Sequence, residues 1–537
     1  MSDLATLKEE VNTLRRQNYL LEKQNKKLEK DNKKLEQNVQ MQNEVIPRLE
    51  ARVQHLIEEL MLALHRQFCK TSEKFVGQDD LPFEDLLPQE STESVQNESE
   101  EQQVRRKKAG RKPLAESLPR VDHYHDLSLE EKHCACGHDL RQIGEDISEK
   151  LTMVPARVWV ERHHYFKYTC PHCQGLSDES KPAVRTAKHE AELFPRSIVT
   201  PELLAHIWTA KFCDHLPYYR QEVGFARIGA EISRQDMVNW TLKISERLSP
   251  LIELVNRHIL SGEVINMDET PVKVLELEKK STESKGYMWL ARGGPPGRKA
   301  VRYRFEPGRA HQYAKSFLEG YSSYLQTDGY EAYGTAIKNT TIRHVGCWAH
   351  ARRKFVDANK VASSEINKDA IGRIRKLYSL EDQARDEAKK KHLSPEEFVV
   401  RRRELIEKLL AEFRIWLEQK SAMALPSGHT TKAISYTLGQ WDKLVKFLEH
   451  AELTPDNNVA ENCIRPYVLG RKNWLFHGNE KAAEASCRIY TLIETAKANG
   501  LEPYEYLKKL LNALPAVESE KNWDSLLPWN LSPLGKN

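Results

Sequence analysis

The stretch from Pro455 to Phe476, PDNNVAENCIRPYVLGRKNWLF, sets Glu461 among Asn457, Asn458, Asn462, Arg465, Arg471 and Lys472. A packed core rejects this mixture, whereas a phosphate-handling site needs it, because cationic side chains bind phosphate oxygens strongly. Two more acids stand isolated upstream, each at the end of an apolar run that reads as a strand: Asp268 in VINMDETPVKV and Asp328 in YLQTDGYEAY. A mixed sheet could bring Asp268 and Asp328 together at the ends of neighbouring strands, with Glu461 as the third carboxylate. Together they would form a site for a hard divalent cation, magnesium above all, with positions left for water and phosphate. Glu269 adjoins Asp268, but neighbours on a strand point to opposite faces, so one of the two reaches the site; Asp268 is the choice.

The surroundings of these acids predict that sheet. VINMDETPVKVLEL, GYMWLARGG and KAVRYRFEP read as strands, HQYAKSFLEGY as a helix and YLQTDGY as a further strand, which suggests a mixed sheet with helices on its faces. Cys347 and His350 follow, three residues apart, and then Arg352, Arg353 and Lys354, a basic cluster suited to a phosphate backbone. The plainer reading is a partly buried cysteine and a histidine at a helix start. From about residue 360 to 451 the chain is charged and helical, an insertion between the second and third acids. Upstream, LPYYRQEVGFARIGAEISRQDMVNWTLKIS has helical spacing, Gly229 as a break and Ser233 as an N-cap, so it resembles a helix-turn-helix with Arg234 at the start of its second helix. The same pattern also serves plain helical bundles.

The first 60 residues carry a heptad repeat. Leu7, Leu14, Leu21, Leu28, Leu35, Leu49 and Leu56 occupy d, with Asn18, Asn25 and Asn32 at a, where buried asparagine fixes register and favours a parallel dimer. A single solvated helix is the alternative, and Pro47 interrupts either one. Residues 77–101 then hold nine acids and no Lys or Arg, the composition of a disordered linker. The charge reverses at Arg105, Arg106, Lys107, Lys108, Arg111 and Lys112, and the core Gly110-Arg111-Lys112-Pro113 resembles a hook for narrow minor grooves, a solvated tail being the alternative. Cys134, Cys136, Cys170 and Cys173 form two tight pairs, which fits a structural tetrahedral Zn²⁺ site. The first pair is one residue tighter than a C-x-x-C knuckle, with His133, His138 and His172 nearby.

No run approaches the length of a membrane span, the N-terminus lacks a signal pattern, and the nine cysteines fit a reducing compartment; together these predict an intracellular, cytoplasmic protein without membrane contact. The expected multidomain organisation is a coiled coil at 1–76, an acidic linker at 77–103, a basic segment at 104–121, a zinc module at 122–190, a helical region at 191–260, a catalytic domain at 261–500 and a tail at 501–537.

The chain resembles transposases of the insertion-sequence 66 family, nearly end to end. The resemblance is carried by the leucine-zipper start, SEKF at 72–75, RKPLAESLPR, the cysteine knuckle with IGEDISEKL, LPYYRQEVGFARIGAEISR, NMDETPVKV, QTDGYEAY, GCWAHARRKF, NNVAENCIRPYVLGRKNWLF and LLPWN. It implies an α/β ribonuclease H-like catalytic domain with a helical insertion and a DDE triad on Asp268, Asp328 and Glu461. It further implies a bacterial, nucleoid-associated enzyme that acts on terminal inverted repeats and target DNA, with accessory proteins of the same element. Two Mg²⁺ or Mn²⁺ ions on the triad would then serve cleavage and strand transfer. Arg465, Arg471 and Lys472 would contact phosphates, as would Arg352, Arg353, Arg105, Arg106, Arg111, Lys112 and Arg234, and the zipper would build a homodimer or larger oligomer. Two rival readings stand beside it: a DNA-binding regulator with an inactive nuclease-like domain, and a metal-dependent nuclease without strand transfer.

Overall fold

The computed structural model describes residues 11, 13–36, 40–41, 43, 52–53, 56–57, 120, 122, 157–169, 184–188, 191–277, 285–423, 428–517 and 520–531. Residues 13–36 are helical (α1), and Leu14, Leu21, Leu28 and Leu35 all lie exposed on this helix. Pro47, Cys134, Cys136, Cys170, Cys173, Arg105, Arg106, Arg111 and Lys112 lie outside the described residues. Between the two cysteine pairs and beyond them, β1 (Lys167–Thr169) and β2 (Val184–Thr186) form an antiparallel ribbon.

A helical layer comes next: α2 (Pro201–Phe212), α3 (Tyr218–Arg227), α4 (Arg234–Arg247) and α5 (Ser249–Leu260). Thr200 and Ser233 cap α2 and α4 by accepting the backbone N–H of Leu203 and Asp236. Gly229, between α3 and α4, has a φ of +82°, a conformation that a side chain would strain. This layer is not a separate body. Leu204, Trp208, Met237 and Ile252 share one apolar core with Met267, Trp289 and Tyr303 of the sheet.

The sheet is built around β3 (Val264–Glu276). On one side β4 (Lys285–Gly293) runs antiparallel to it and β5 (Ala300–Glu306) antiparallel to β4; then α6 (His311–Phe317) crosses over to β6 (Tyr324–Gln326), which is parallel to β3, and α7 (Glu331–Ala336) leads to β7 (Arg343–Val345), parallel to β6. The strand order is β5-β4-β3-β6-β7, so the core is mixed α/β. The first four residues of β3 are buried, as befits a strand covered on both faces, and Val272 and Val274 then alternate with exposed Pro271 and Lys273. Asp268 is the fifth of thirteen residues rather than the last of its strand, because pairing with β4 continues to Lys273.

The helical insertion consists of α8 (Trp348–Val361), α9 (Glu365–Lys391), α10 (Pro395–Met423), α11 (His429–Gly439) and α12 (Trp441–Leu444). Trp348, Phe413 and Trp441 are the centre of a second core. Buried Arg402 pairs with Glu381 and donates to the carbonyls of Phe447, His450 and Leu453, clamping the segment that leads back to the sheet. That segment enters α13 (Asn458–Trp474), followed by β8 (His477–Asn479), which extends the far end of β3, and by α14 (Glu480–Ala498). Thr491 and Thr495 of α14 accept the N–H groups of Tyr303 and Val301, so hydroxyls one helical turn apart, about 6 Å, match alternate residues of a strand, about 6.7 Å, and close the free edge of β5. Beyond residue 501, where a tail was expected, α15 (Pro503–Ala513) buries Leu507, Leu510 and Leu511 at helical spacing. After α16 (Glu520–Ser525), Trp529 stacks on His258 with ring centres 3.8 Å apart. No described helix is long and apolar enough to cross a membrane.

A buried amide network joins the sheet to α13. Asn266 Nδ2 donates to Gln326 Oε1 (3.1 Å) and to Asn457 Oδ1 (3.0 Å), and Asn457 Nδ2 donates to the carbonyl of Met267 (2.8 Å). Gln326 Nε2 donates to the carbonyl of Thr454 (2.6 Å), and the N–H of Asn457 donates to Cys347 Sγ (3.3 Å). Each of these amides is almost fully buried, so a missing partner leaves a desolvated polar group behind. Asn457→Ala therefore costs about 2–4 kcal/mol, the price of orphaning Asn266 and the Met267 carbonyl, and lowers the urea midpoint accordingly; an unchanged midpoint excludes the network as an anchor.

Two buried histidines make the fold acid-sensitive. His344, whose Nε2 lies 2.8 Å from Thr327 Oγ1, and His477 are each pushed down by burial to about 3, with Lys443 and Lys446 adding at His344 and Lys211 at His477. The unfolded chain takes up these protons near pH 6.5, the folded chain not until about pH 3. Stability is thus full above 6.5 and falls as pH drops below it, by up to about 1.4 kcal/mol per pH unit for each histidine. The melting temperature of the wild type should fall between pH 7 and 5, and His344→Gln should flatten that slope; equal slopes would show that His344 takes a proton in the fold.

Candidate active site

Strand register places two of the acids. Asn266 lies opposite Gln326 in the parallel β3–β6 pair, and Asp268 and Asp328 each come two residues later. Asp268 is still within β3, whereas Asp328 lies in the turn just past the end of β6, so the Asn266–Gln326 pairing brings both acids to neighbouring positions on the sheet. Burial raises Asp268 up to about 7, with the charges of Glu269, Glu461 and Asp328 pushing the same way against the N–H of Glu269, which donates to Asp268 Oδ1 at 2.8 Å. Asp328 accepts the N–H of Tyr330 (2.9 Å). Gly329 between them is required by close approach, since a Cβ there would collide with the Tyr436 hydroxyl from α11.

The third acid arrives on a helix. Asn457, in the N-cap position, is seated on the sheet by the amide network, and Glu461 is the fourth residue of α13, where the positive helix end favours a carboxylate. α13 packs across β3 and β4. Glu461 Oε1 lies 3.8 Å from His350 Nδ1, and Oε2 lies 3.9 Å from the Arg353 guanidinium. Both the Oε1 atom and the Nδ1 atom are buried and have no hydrogen-bond partner. Burial lowers His350, with Glu461 opposing and Arg353 assisting.

A divalent cation fits this donor set. Burial and then like charges hold Asp268 up, and Glu461 Oε1 lacks a donor; a bound cation offsets both deficits, and carboxylate oxygens are the ligands a hard ion takes. Cys347, His350 and Glu461 also offer ligand atoms within 4.8 Å of one another. Cys347 is a poor ligand, because burial pushes its thiol up to about 12 and its sulfur already accepts the Asn457 N–H.

Glu269 serves the fold. Its carboxylate is buried and accepts from Arg309 and from the Tyr333 hydroxyl, while the Arg309 guanidinium lies 3.7 Å from the Tyr330 ring centre. Arg465 and Lys472 are exposed on α13, whereas Arg471 donates to Thr270 Oγ1 (2.9 Å) and to the Pro271 carbonyl, tying α13 to β3. Arg352 is half-buried and Arg353 exposed on α8, and Arg234 is exposed at the start of α4, a different element. Two features escaped the sequence reading: His350 beside Glu461, and the amides beneath the acids. The available signal for the amides was Asn266 itself, a polar residue two before Asp268 in an apolar strand and therefore on the same face.

Known proteins share this arrangement of sequence. Residues 196–485 match the profile described as Transposase IS66 family, residues 491–529 the IS66 C-terminal element, residues 131–174 the zinc-finger binding domain of transposase IS66, and residues 55–122 the Transposase C of IS166 homeodomain. Three relatives from Sinorhizobium fredii (strain NBRC 101917 / NGR234) carry the name uncharacterized protein. Of these, y4qI is 33% identical over 79% of this chain and 78% of its own length, y4jD 31% over 78% and 81%, and y4hP 28% over 88% and 87%. With more than half of its length inside the first profile, the chain belongs to the IS66 transposase family.

Proposed function

We propose that this protein is a DDE transposase that binds the terminal inverted repeats of its element and carries out DNA cleavage and strand transfer with Asp268, Asp328 and Glu461 as the catalytic triad. The observation that carries the reading is the buried amide network of Asn266, Gln326 and Asn457, whose members precede Asp268, Asp328 and Glu461 by two, two and four residues and dock α13 on β3. The strand order, three antiparallel strands followed by two parallel ones, supports a ribonuclease H-like fold. Two divalent cations, Mg²⁺ or Mn²⁺, would supply an activated water and charge neutralisation at the departing 3′ oxygen.

The chain's own residues supply the rest. Asp268 is held within β3, and Asp328, in the turn between β6 and α7, accepts the N–H of Tyr330. Glu461 is oriented by Asn457 below it, with His350 and Arg353 on its outer side. Arg465 and Lys472, exposed on the same helix, are placed to take phosphates flanking the cut. The exposed heptad leucines of α1 favour a coiled-coil dimer. The basic segment and the four-cysteine module upstream would read the DNA ends, Cys134, Cys136, Cys170 and Cys173 holding Zn²⁺.

Asp268→Asn, Asp328→Asn and Glu461→Gln should each lower Mg²⁺-dependent nicking of DNA from the element's ends by at least about a thousandfold while leaving DNA binding intact. Unchanged nicking in these variants would sink the triad; nicking without joining of 3′ ends to a target plasmid would leave a nuclease, and binding without nicking a regulator. For the upstream module, elemental analysis of purified protein should find one zinc per chain, lost in Cys170→Ser; equal zinc content in the variant would remove Cys170 from the ligands.

A further inference from the structure

The geometry points to a DNA-opening wedge at Leu475 and Phe476, directed at the duplex that runs along α13; this rests on the transposase reading above. Leu475 has φ +66° and ψ −44°, and the N–H of Phe476 donates to the carbonyl of Trp474 at 2.8 Å. That is a γ-turn of the rare, strained hand, on a residue whose Cβ disfavours it. The strain is imposed from both sides. Arg471 ties the end of α13 to Thr270 and Pro271, the N–H of Leu475 donates to the carbonyl of Arg471, and His477 is buried against Tyr467.

What this strain displays is apolar. Leu475 is 64% exposed and Phe476 44%, and Leu275, at the end of β3 that pairs with β8, is 49% exposed. Lys472, three residues before Leu475, and Lys273, two before Leu275, are exposed, as is Glu276 directly after Leu275. Glu461, Arg465 and Lys472 follow at helical spacing along one stripe of α13, and Leu475 ends that stripe. The line from Glu461 to Leu475 covers 14 residues, about 21 Å of helix, which equals about 6 base pairs of duplex. Lys and Arg on phosphates with Leu and Phe beside them is the chemistry of proteins that push apolar side chains between base steps and unstack them. A duplex whose cleaved phosphate lies at Glu461 would thus be pried open about 6 base pairs away.

The test uses the full-length protein and duplexes from the element's ends, with 2-aminopurine placed singly at each of the first ten positions from the cut. Wild-type protein should raise fluorescence at one step about 6 base pairs from the cut. The variant Leu475→Ala/Phe476→Ala should lose that rise on the same DNA, and a mismatch at the step should restore its nicking in Mg²⁺. Leu475→Gly should melt no lower than wild type, because glycine accepts the positive φ, and should also lose the rise. If the variants keep the wild-type rise, or if no position responds while wild type nicks normally, the wedge is wrong and the transposase reading survives. If wild type does not nick at all, it is that reading which fails. A change in oligomeric mass with unchanged fluorescence would assign the two side chains to a protein interface and overturn the proposal.

Discussion

The contact on which the site depends is the set of side-chain amides shared by Asn266, Gln326 and Asn457. It crosses three elements that are distant in sequence, two strands of the sheet and the start of a helix. Apolar packing alone would allow α13 to slide or rotate over β3, since dispersion has no direction. Buried amides do not allow this, because each lost hydrogen bond leaves a desolvated group. The network lies two residues before Asp268 and Asp328 and four before Glu461, so it sets the mutual position of all three acids.

The insertion between the second and third acids supports the same geometry from outside. Arg402 clamps the returning segment, the N–H of Trp348 donates to the carbonyl of Pro455, and Tyr436 closes over Gly329. Helices that look dispensable from their charged composition thus determine how the chain approaches α13. His350 and Arg353 come from the same insertion and flank Glu461, which ties the acid's orientation to the helices' placement. Burial first, and then the charges of the neighbouring carboxylates, raise Asp268. The site is held as protein because β3 is paired on both sides and fixed beneath by the amide network.

Several acids and bases near the site were indistinguishable by residue type. Asp268 and Glu269 are neighbours, yet one lies among carboxylates and the other is neutralised by Arg309 and Tyr333. Strand alternation was enough to separate them. Arg471 and Lys472 are also neighbours, and there the sequence had no means to tell them apart: a helix rotates successive side chains by about 100°, which turned Arg471 onto β3 and left Lys472 in solvent. Within the segment after residue 501, expected as a tail, PYEYLKKLLNAL reads as a helix, its leucines fall on a single stripe, and the core accepts them.

What the sequence determined by itself is local. Period-two and period-3.6 patterns marked the strands and helices, Ser233 and Gly229 marked the ends of α4 and its turn, and three carboxylates in apolar strands or an amide-rich helix marked themselves as out of place in a core. These signals survive because they depend on neighbours within a turn or two of the chain. The tertiary structure decided the rest: which amide meets which, that His350 stands beside Glu461, and that a strained turn carries Leu475 into solvent. Those outcomes depend on contacts between residues up to 191 positions apart, whose partners no local pattern specifies.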